Sequence, residues 1–186
     1  MSHLFRRSAD SESMAELCLD EDIYSDFLLK EIPAASKSVW IATADIKDVH
    51  VKQGRRFVPF LKTLSDLIEK GVAVRLLHAK EPGERFRRDF DRYPSLIRSE
   101  LFERAMCPRV HFKMILVDTK LMYIGSANLT GAGMGAKSDR RRNFEAGIRS
   151  MESVLIKPMI SYYDQIFSGS HCKGCRLRKV CPDPIR

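Results

Sequence analysis

Two apolar runs flank the triplet Asp118-Thr119-Lys120, and they constrain this 186-residue chain more than any other feature. Val110 to Asp118 is apolar and β-prone, which predicts a strand. Leu121 to Gly125 predicts a second strand returning beside it, and the polar triplet between them reads as a hairpin turn. Side chains two apart on a strand share a face, so His111 and Lys113 should point the same way. The returning strand should deliver Ser126 and Asn128 next to them. Gly125 at its end permits close backbone approach or an unusual φ. An imidazole and a fixed positive charge on one face suit an anionic group.

The spacing is His111-x-Lys113, four residues, Asp118, six residues, then Gly125-Ser126-x-Asn128. Three other His-x-Lys triplets begin at His50, His78 and His171. Seven residues after each stand Phe57, Arg85 and Arg178 where Asp is required, and none has the Gly-Ser-x-Asn tail. The triplet alone carries no information, whereas all six fixed positions together are very improbable by chance. The complete pattern resembles the phospholipase D superfamily. Asn143-Phe144-Glu145-Ala146-Gly147-Ile148 resembles the strand that follows the Gly-Ser-x-Asn loop in that family. Ser38 to Asp45, a helix, and then Gly71 to Leu77 look like the first half of such a domain, so the likeness covers about residues 20–167.

The resemblance implies a phosphodiester chemistry. His111 would attack phosphorus and form a phosphohistidine. Lys113 and Asn128 would hold the phosphate, with Ser126 in the same segment. Glu145 would bond the far nitrogen of His111, setting its tautomer and stabilising its charged form. Asp118 belongs to the motif, either in catalysis or in structuring the turn. A second His must protonate the leaving oxygen and later activate water. This chain has one motif where the family needs two, so a homodimer with one His111 from each chain is expected. The chemistry calls for no metal or other catalytic cofactor.

Alternating strands and helices predict an α/β layered fold with a mixed β-sheet flanked by helices. Helices are expected over Leu17 to Ile32, Arg56 to Lys70, about 83–92, about 95–105, and Met151 to Phe167. Strands are expected at Ser38 to Ala44, Val72 to Leu77, 110–118, 121–126 and 144–149. Residues 1–12 read as a flexible N-terminus, 13–167 as the catalytic domain and 168–186 as a cysteine-rich tail. No apolar run reaches the ~18–20 residues of a membrane span, and no signal peptide is evident, so a cytoplasmic location is expected. A formal charge of +8 favours a polyanionic partner, and charge alone does not separate DNA from RNA or an anionic membrane; the missing hydrophobic anchor and the basic surface together disfavour a lipid substrate. Lys137, Arg140, Arg141 and Arg142 lie between Asn128 and Glu145 and are expected at the nucleic acid; Arg85, Arg87, Arg88 and Arg92 form a second cluster.

Five cysteines without a signal peptide argue against a disulfide framework. Cys172, Cys175 and Cys181 are spaced Cx2Cx5C. With Cys107, or with His171 as the fourth ligand, they suit one structural metal centre, either zinc or an iron–sulfur cluster. The staple resembles the iron–sulfur staple of some CRISPR-associated and helicase-linked nucleases, whose catalytic fold differs. Cys18 reads as a small core residue on the first helix. The leading expectation is a metal-independent endonuclease. The alternatives are a nucleic-acid-binding or assembly subunit that uses the fold as a dimeric platform, and a phospholipase D-type lipid hydrolase. A helicase or ATPase partner is left open.

Overall fold

The computed structural model describes residues 15–47 and 49–184, so the N-terminal stretch at 1–12 lies outside the described residues. A seven-stranded mixed sheet runs in the order β1-β9-β8-β7-β2-β5-β6. The strands are β1 Glu16–Leu19, β2 Ser38–Thr43, β5 Ala73–His78, β6 Phe102–Met106, β7 Lys113–Val117, β8 Leu121–Gly125 and β9 Ala146–Ser150. β2, β5 and β6 are mutually parallel, while β7, β8, β9 and β1 continue from β2 by antiparallel pairing. A separate hairpin joins β3 His50–Gln53 to β4 Arg56–Pro59.

Each strand of the sheet's centre feeds two cores, as a period of two requires. On β7, Ile115 and Val117 enter one core while Met114 and Leu116 enter the other. The first core packs a π-helix at Ile23–Glu31, α1 (Phe60–Glu69), α2 (Glu84–Phe90) and α3 (Pro94–Arg98). The second packs α4 (Ser153–Phe167) through the buried Ile156 and Tyr163. Arg75 on β5 stacks on Trp40 and Phe167 at 4.9 and 5.3 Å, and bonds Glu103 and Asp164 at 2.7 and 2.9 Å. That bridge ties α4 to the edge strand β6.

Four elements differ from the sequence expectation. The first helix begins late: Glu16–Leu19 is an edge strand in which only Cys18 is buried. Asp20 then takes a left-handed φ of 44°, which ends the strand. The following helix is a π-helix at its close, where Ile32 N donates to Phe27 O five residues back at 2.9 Å. Cys18 is in the core, as expected, but on a strand, and burial pushes its thiol up to about 11. Second, Arg56–Pro59 pairs with His50–Gln53 around Gly54, whose φ is 60°, so the helix starts only at Phe60 after Pro59. Third, the stretch expected as a helix at 95–105 splits into α3 and β6, because Phe102–Met106 completes the sheet beside β5. Fourth, β7 starts at Lys113, so His111 precedes the strand instead of lying within it. Pro158 sits inside α4 without ending it; the carbonyl it frees belongs to Val154, whose side chain faces water.

Candidate active site

The parallel strands β2 and β5 end, and β7 begins, at one edge of the sheet, where β8 also ends. Crevices at the carboxyl ends of such strands are the usual ligand sites of open α/β sheets. Lys113 lies at this edge, paired in register with Gly125, and its side chain is 6% exposed. Its ammonium donates to His111 O at 2.6 Å and lies 3.5 Å from His111 Nδ1. Among the described residues no carboxylate neutralises it. A buried cation bonded to a neutral carbonyl is costly in itself and well prepared for an incoming anion. His111 is exposed beside it, held by a turn in which Val110 N donates to Cys107 O at 2.9 Å. Phe112 anchors the segment against Tyr162 on α4, ring centroids 5.4 Å apart.

Asn128 is built into the same edge. Its Oδ1 accepts the backbone N–H groups of Ala44 at 3.1 Å and Asp45 at 3.0 Å, just past the end of β2. With the oxygen occupied by donors, Nδ2 is the amide atom left to donate to a further acceptor. Thr43 Oγ1 reinforces the junction, donating to Asp45 O at 2.6 Å and accepting Leu129 N at 2.9 Å. Thr43, Ala44 and Asp45 were not foreseen as part of the site; nothing in their spacing relative to Asn128, over eighty residues away, signals the contact. Gly125 is required for space, since a Cβ there would lie 2.6 Å from Ala146 O. Gly125 faces Gly147 in register, and the buried Tyr123 ring packs against this gap.

Glu145 and Asp118 have well-defined partners within the single chain. Among the described residues, no bond joins Glu145 to His111 of its own chain. Its carboxylate accepts Ser126 Oγ and, at 3.0 Å, Asn143 Nδ2. Asp20 accepts Glu145 N at 2.8 Å and donates its own N–H to Glu145 O at 3.0 Å. Glu145 therefore closes the loop between Ser126 and β9, since Ala146 N also donates to Ser126 Oγ at 3.1 Å. Asp118 sits at the opposite end of β7 from Lys113. Its carboxylate accepts N–H groups of Ser36, Lys37 and Ser38 at 2.7–3.1 Å and the Ser36 hydroxyl at 2.8 Å. Burial works to raise its pKa, but those donors from Ser38, Ser36 and Lys37 outweigh it and hold the carboxyl at about 2. Asp118 and Thr119 adopt φ of 53° and 55°, a hairpin turn of the primed kind. Asp118 thus pins the turn to the segment before β2, at the far end of β7 from Lys113.

The basic loop divides. Lys137, Arg140 and Arg141 are exposed. Arg142 is only 16% exposed and is committed to Glu21 and, at 3.3 Å, to Asp139. These two carboxylates tie Arg142 to the loop and to Glu21. On α2, Arg87 faces Glu81 at 3.8 Å and Arg92 bonds Asp89 at 2.8 Å, so part of that cluster is neutralised internally. Of the other His-x-Lys triplets, His50 lies on β3, and His78 is fully buried at the end of β5 with Nδ1 at 2.8 Å from Lys80 O. No helix among the described residues is long and apolar enough to cross a membrane.

Cys107, Cys172, Cys175 and Cys181, with His171, line a single cavity of about 340 Å³ that His111 also borders. They do not converge: among the described residues no three His, Cys, Asp or Glu are placed to hold one metal ion. The expected metal centre, zinc or iron–sulfur, therefore has no converged set of ligands among the described residues. N–H donation from Leu177 and, against some burial, from Arg109 lowers the pKa of the Cys175 thiol below the ordinary thiol value.

No curated protein matches the chain in sequence. Its fold is similar to NucT from Helicobacter pylori, at 16% identity and a TM-score of 0.59 over 81% of this chain and 94% of that one. It is similar also to Nuc, a phospholipase D family member from Salmonella typhimurium, at 14% identity and a TM-score of 0.58 over 81% and 91%. TrmBL2, an archaeal chromatin protein with a novel mode of DNA binding, matches at 10% identity and a TM-score of 0.58 over 86% of this chain and 54% of that one. At these identities the likeness is one of fold. A family model described as the phospholipase D-like domain of cardiolipin synthase matches residues 28–169, a span that runs from the π-helix through α4 and includes His111, Lys113 and Asn128. By that match the chain belongs to the phospholipase D-like family.

Proposed function

We propose that this protein is a phosphodiesterase, an endonuclease on DNA or RNA, that works as a homodimer through His111. The observation that carries the proposal is the pairing of an exposed His111 with the buried, carboxylate-free Lys113 at the edge that also holds Asn128. One phosphate diester bridges the two chains at a twofold axis. His111 of one chain attacks phosphorus and forms an N–P bond. The P–O bond to the leaving group breaks, and the second chain's His111 gives its proton to that oxygen. The second His111 then takes a proton from water, whose oxygen displaces the first His111 and completes hydrolysis. Lys113 and the Asn128 amide of both chains stabilise the charge on the nonbridging oxygens throughout. This assignment needs no divalent cation for the chemical step.

Lys137, Arg140 and Arg141 supply backbone contacts outside the reacting centre. A second reading, DNA binding without cleavage, draws on the fold likeness to an archaeal DNA-binding protein. Side-by-side incubation of single-stranded DNA, duplex DNA, RNA and phosphatidylglycerol in EDTA separates the readings. Cleavage of a nucleic acid that is lost in His111→Asn supports the nuclease. Tight DNA binding with no cleavage by wild type supports the binding platform. Lipid turnover alone would replace both with a lipid phosphodiesterase.

A further inference from the structure

Phe144 is 93% exposed, more than any other large apolar side chain among the described residues. A single exposed apolar residue is ordinary on a protein surface, so exposure alone means little. The backbone that holds this one, and its place beside the candidate site, mean more. Asn143 N donates to Ala132 O at 3.1 Å, and Asn143 Nδ2 to Glu145 Oε1 at 3.0 Å. Glu145 N donates to Asp20 Oδ1 at 2.8 Å, and Asp20 N to Glu145 O at 3.0 Å. Both neighbours of Phe144 are therefore tied down, and the Asp20–Glu145 bonds carry the β1–β9 pairing one step past Leu19 and Ala146. The ring is held out in water by an ordered segment.

Gly125 stands in register with Lys113 on one side and with Gly147 on the other. Phe144 precedes Gly147 by three residues, so it lies past the same edge of the sheet, roughly 14 Å from Lys113 by strand spacing and rise per residue. Just before it in the chain come Lys137, Arg140 and Arg141, all exposed and none paired with a carboxylate among the described residues. The neighbouring acids are engaged: Glu21 and Asp139 by Arg142, Asp20 by Glu145 N, and Glu145 by Ser126 and Asn143. Free cations that follow phosphates and an aromatic face that stacks on any base are the two parts of a site for unpaired nucleic acid. A duplex keeps its bases stacked on one another, and a lone ring gains from it only at the cost of unstacking them. A second copy of this chain is the rival occupant. A twofold contact centred on this segment sets Lys137, Arg140 and Arg141 against their own copies, and like charges so opposed repel.

We infer that Phe144 stacks on an unpaired base a short way along the strand from the phosphate at Lys113 and Asn128, and that this contact makes the protein prefer single-stranded to duplex nucleic acid. The inference rests on the proposed nuclease reading for the place of that phosphate. Phe144 is a specificity residue and takes no part in bond breaking. In the twofold dimer each chain supplies one such ring.

The test measures binding of the full chain, carrying His111→Asn so that nothing is cut, to one labelled oligonucleotide, free or annealed to its complement. Fluorescence anisotropy gives both affinities across a range of salt. Phe144→Ala should weaken binding of the single strand by about tenfold and of the duplex by less than about twofold. The slope of log affinity on log salt should not change, because no charge is removed. Phe144→Trp should restore the single-strand affinity. The ring is almost wholly in water, so both variants should melt with the parent protein. Unchanged single-strand affinity in Phe144→Ala, or equal losses on single strand and duplex, overturns the inference. So does a dimer that light scattering shows to dissociate in that variant, which assigns the ring to a second chain. The nuclease reading stands or falls separately. A His111-intact protein that binds single strands through Phe144 but cuts nothing keeps this inference and loses that reading, and one that cuts while Phe144→Ala binds as before does the reverse.

Discussion

Asp118→Asn separates a motif residue that builds the fold from one that does chemistry. Asn preserves the shape and tolerates the left-handed φ of 53°, so the backbone of the turn is conserved. What is lost is the charge that accepts the donors of Ser36, Lys37 and Ser38. The fall of the carboxyl pKa from 3.8 to about 2 corresponds to at most about 2.5 kcal/mol of stability, at 1.36 kcal/mol per pH unit. The carboxylate is partly in water, and screening reduces the expected loss to about 1–2 kcal/mol. Because the folded-state pKa is depressed, this stability is fully present above the unfolded value near 3.8 and is lost as the pH falls through about 2. Urea denaturation of both proteins from pH 7 down to pH 2 should therefore show a gap of about 1–2 kcal/mol that closes at the acid end. Turnover per folded molecule at pH 7 should stay within a few-fold of wild type. A variant of unchanged stability with turnover reduced by orders of magnitude would refute the reasoning and return Asp118 to the reacting centre.

Lys113→Met removes a buried charge while keeping the side chain's volume, so its melting temperature should equal or exceed that of wild type while cleavage falls by at least about a thousandfold. Mixing and reassociating equal amounts of wild-type and His111→Asn chains should reduce specific activity to about half that of the added wild type, as random pairing leaves half the wild-type chains in mixed dimers; retention of full activity excludes a shared site. Arg140→Ala and Arg141→Ala should each lower the dependence of log affinity on log salt by about one, whereas Arg142→Ala should lower the melting temperature through its lost bond to Glu21. Gly125→Ala forces a methyl against Ala146 O and should cost about 2 kcal/mol or more in thermal or denaturant unfolding.

The hairpin Lys113–Gly125 and its turn were legible because both signals are local: two short apolar, β-prone runs and a polar triplet that tolerates positive φ. β2, β5, α1 and α4 were legible for the same reason, apart from their first residues. β1 and β6 were not. Glu16–Leu19 and Phe102–Met106 are short edge strands whose identity comes from the partner they pair with, and β9 and β5 are distant in sequence.

The site divides along the same line. Residue type and spacing by themselves marked His111, Lys113 and Asn128 as parts of one motif, and a phosphate role for them is what its resemblance to the phospholipase D superfamily implies. Only the tertiary structure decided what surrounds them: that Asn128 is oriented by Ala44 and Asp45, that Glu145 closes on Ser126, that Asp118 holds Ser36 to Ser38 at the far end of β7, and that Arg142 is consumed by Glu21. The cysteines show the limit most plainly. Their spacing predicts a shared centre, yet the docked tail brings them to the lining of one cavity with Cys107 without placing three ligands around a single point. Local pattern encodes which groups share a face. Hydrogen-bond partners and cavity size depend on contacts between segments tens of residues apart, and those form only when the sheet assembles.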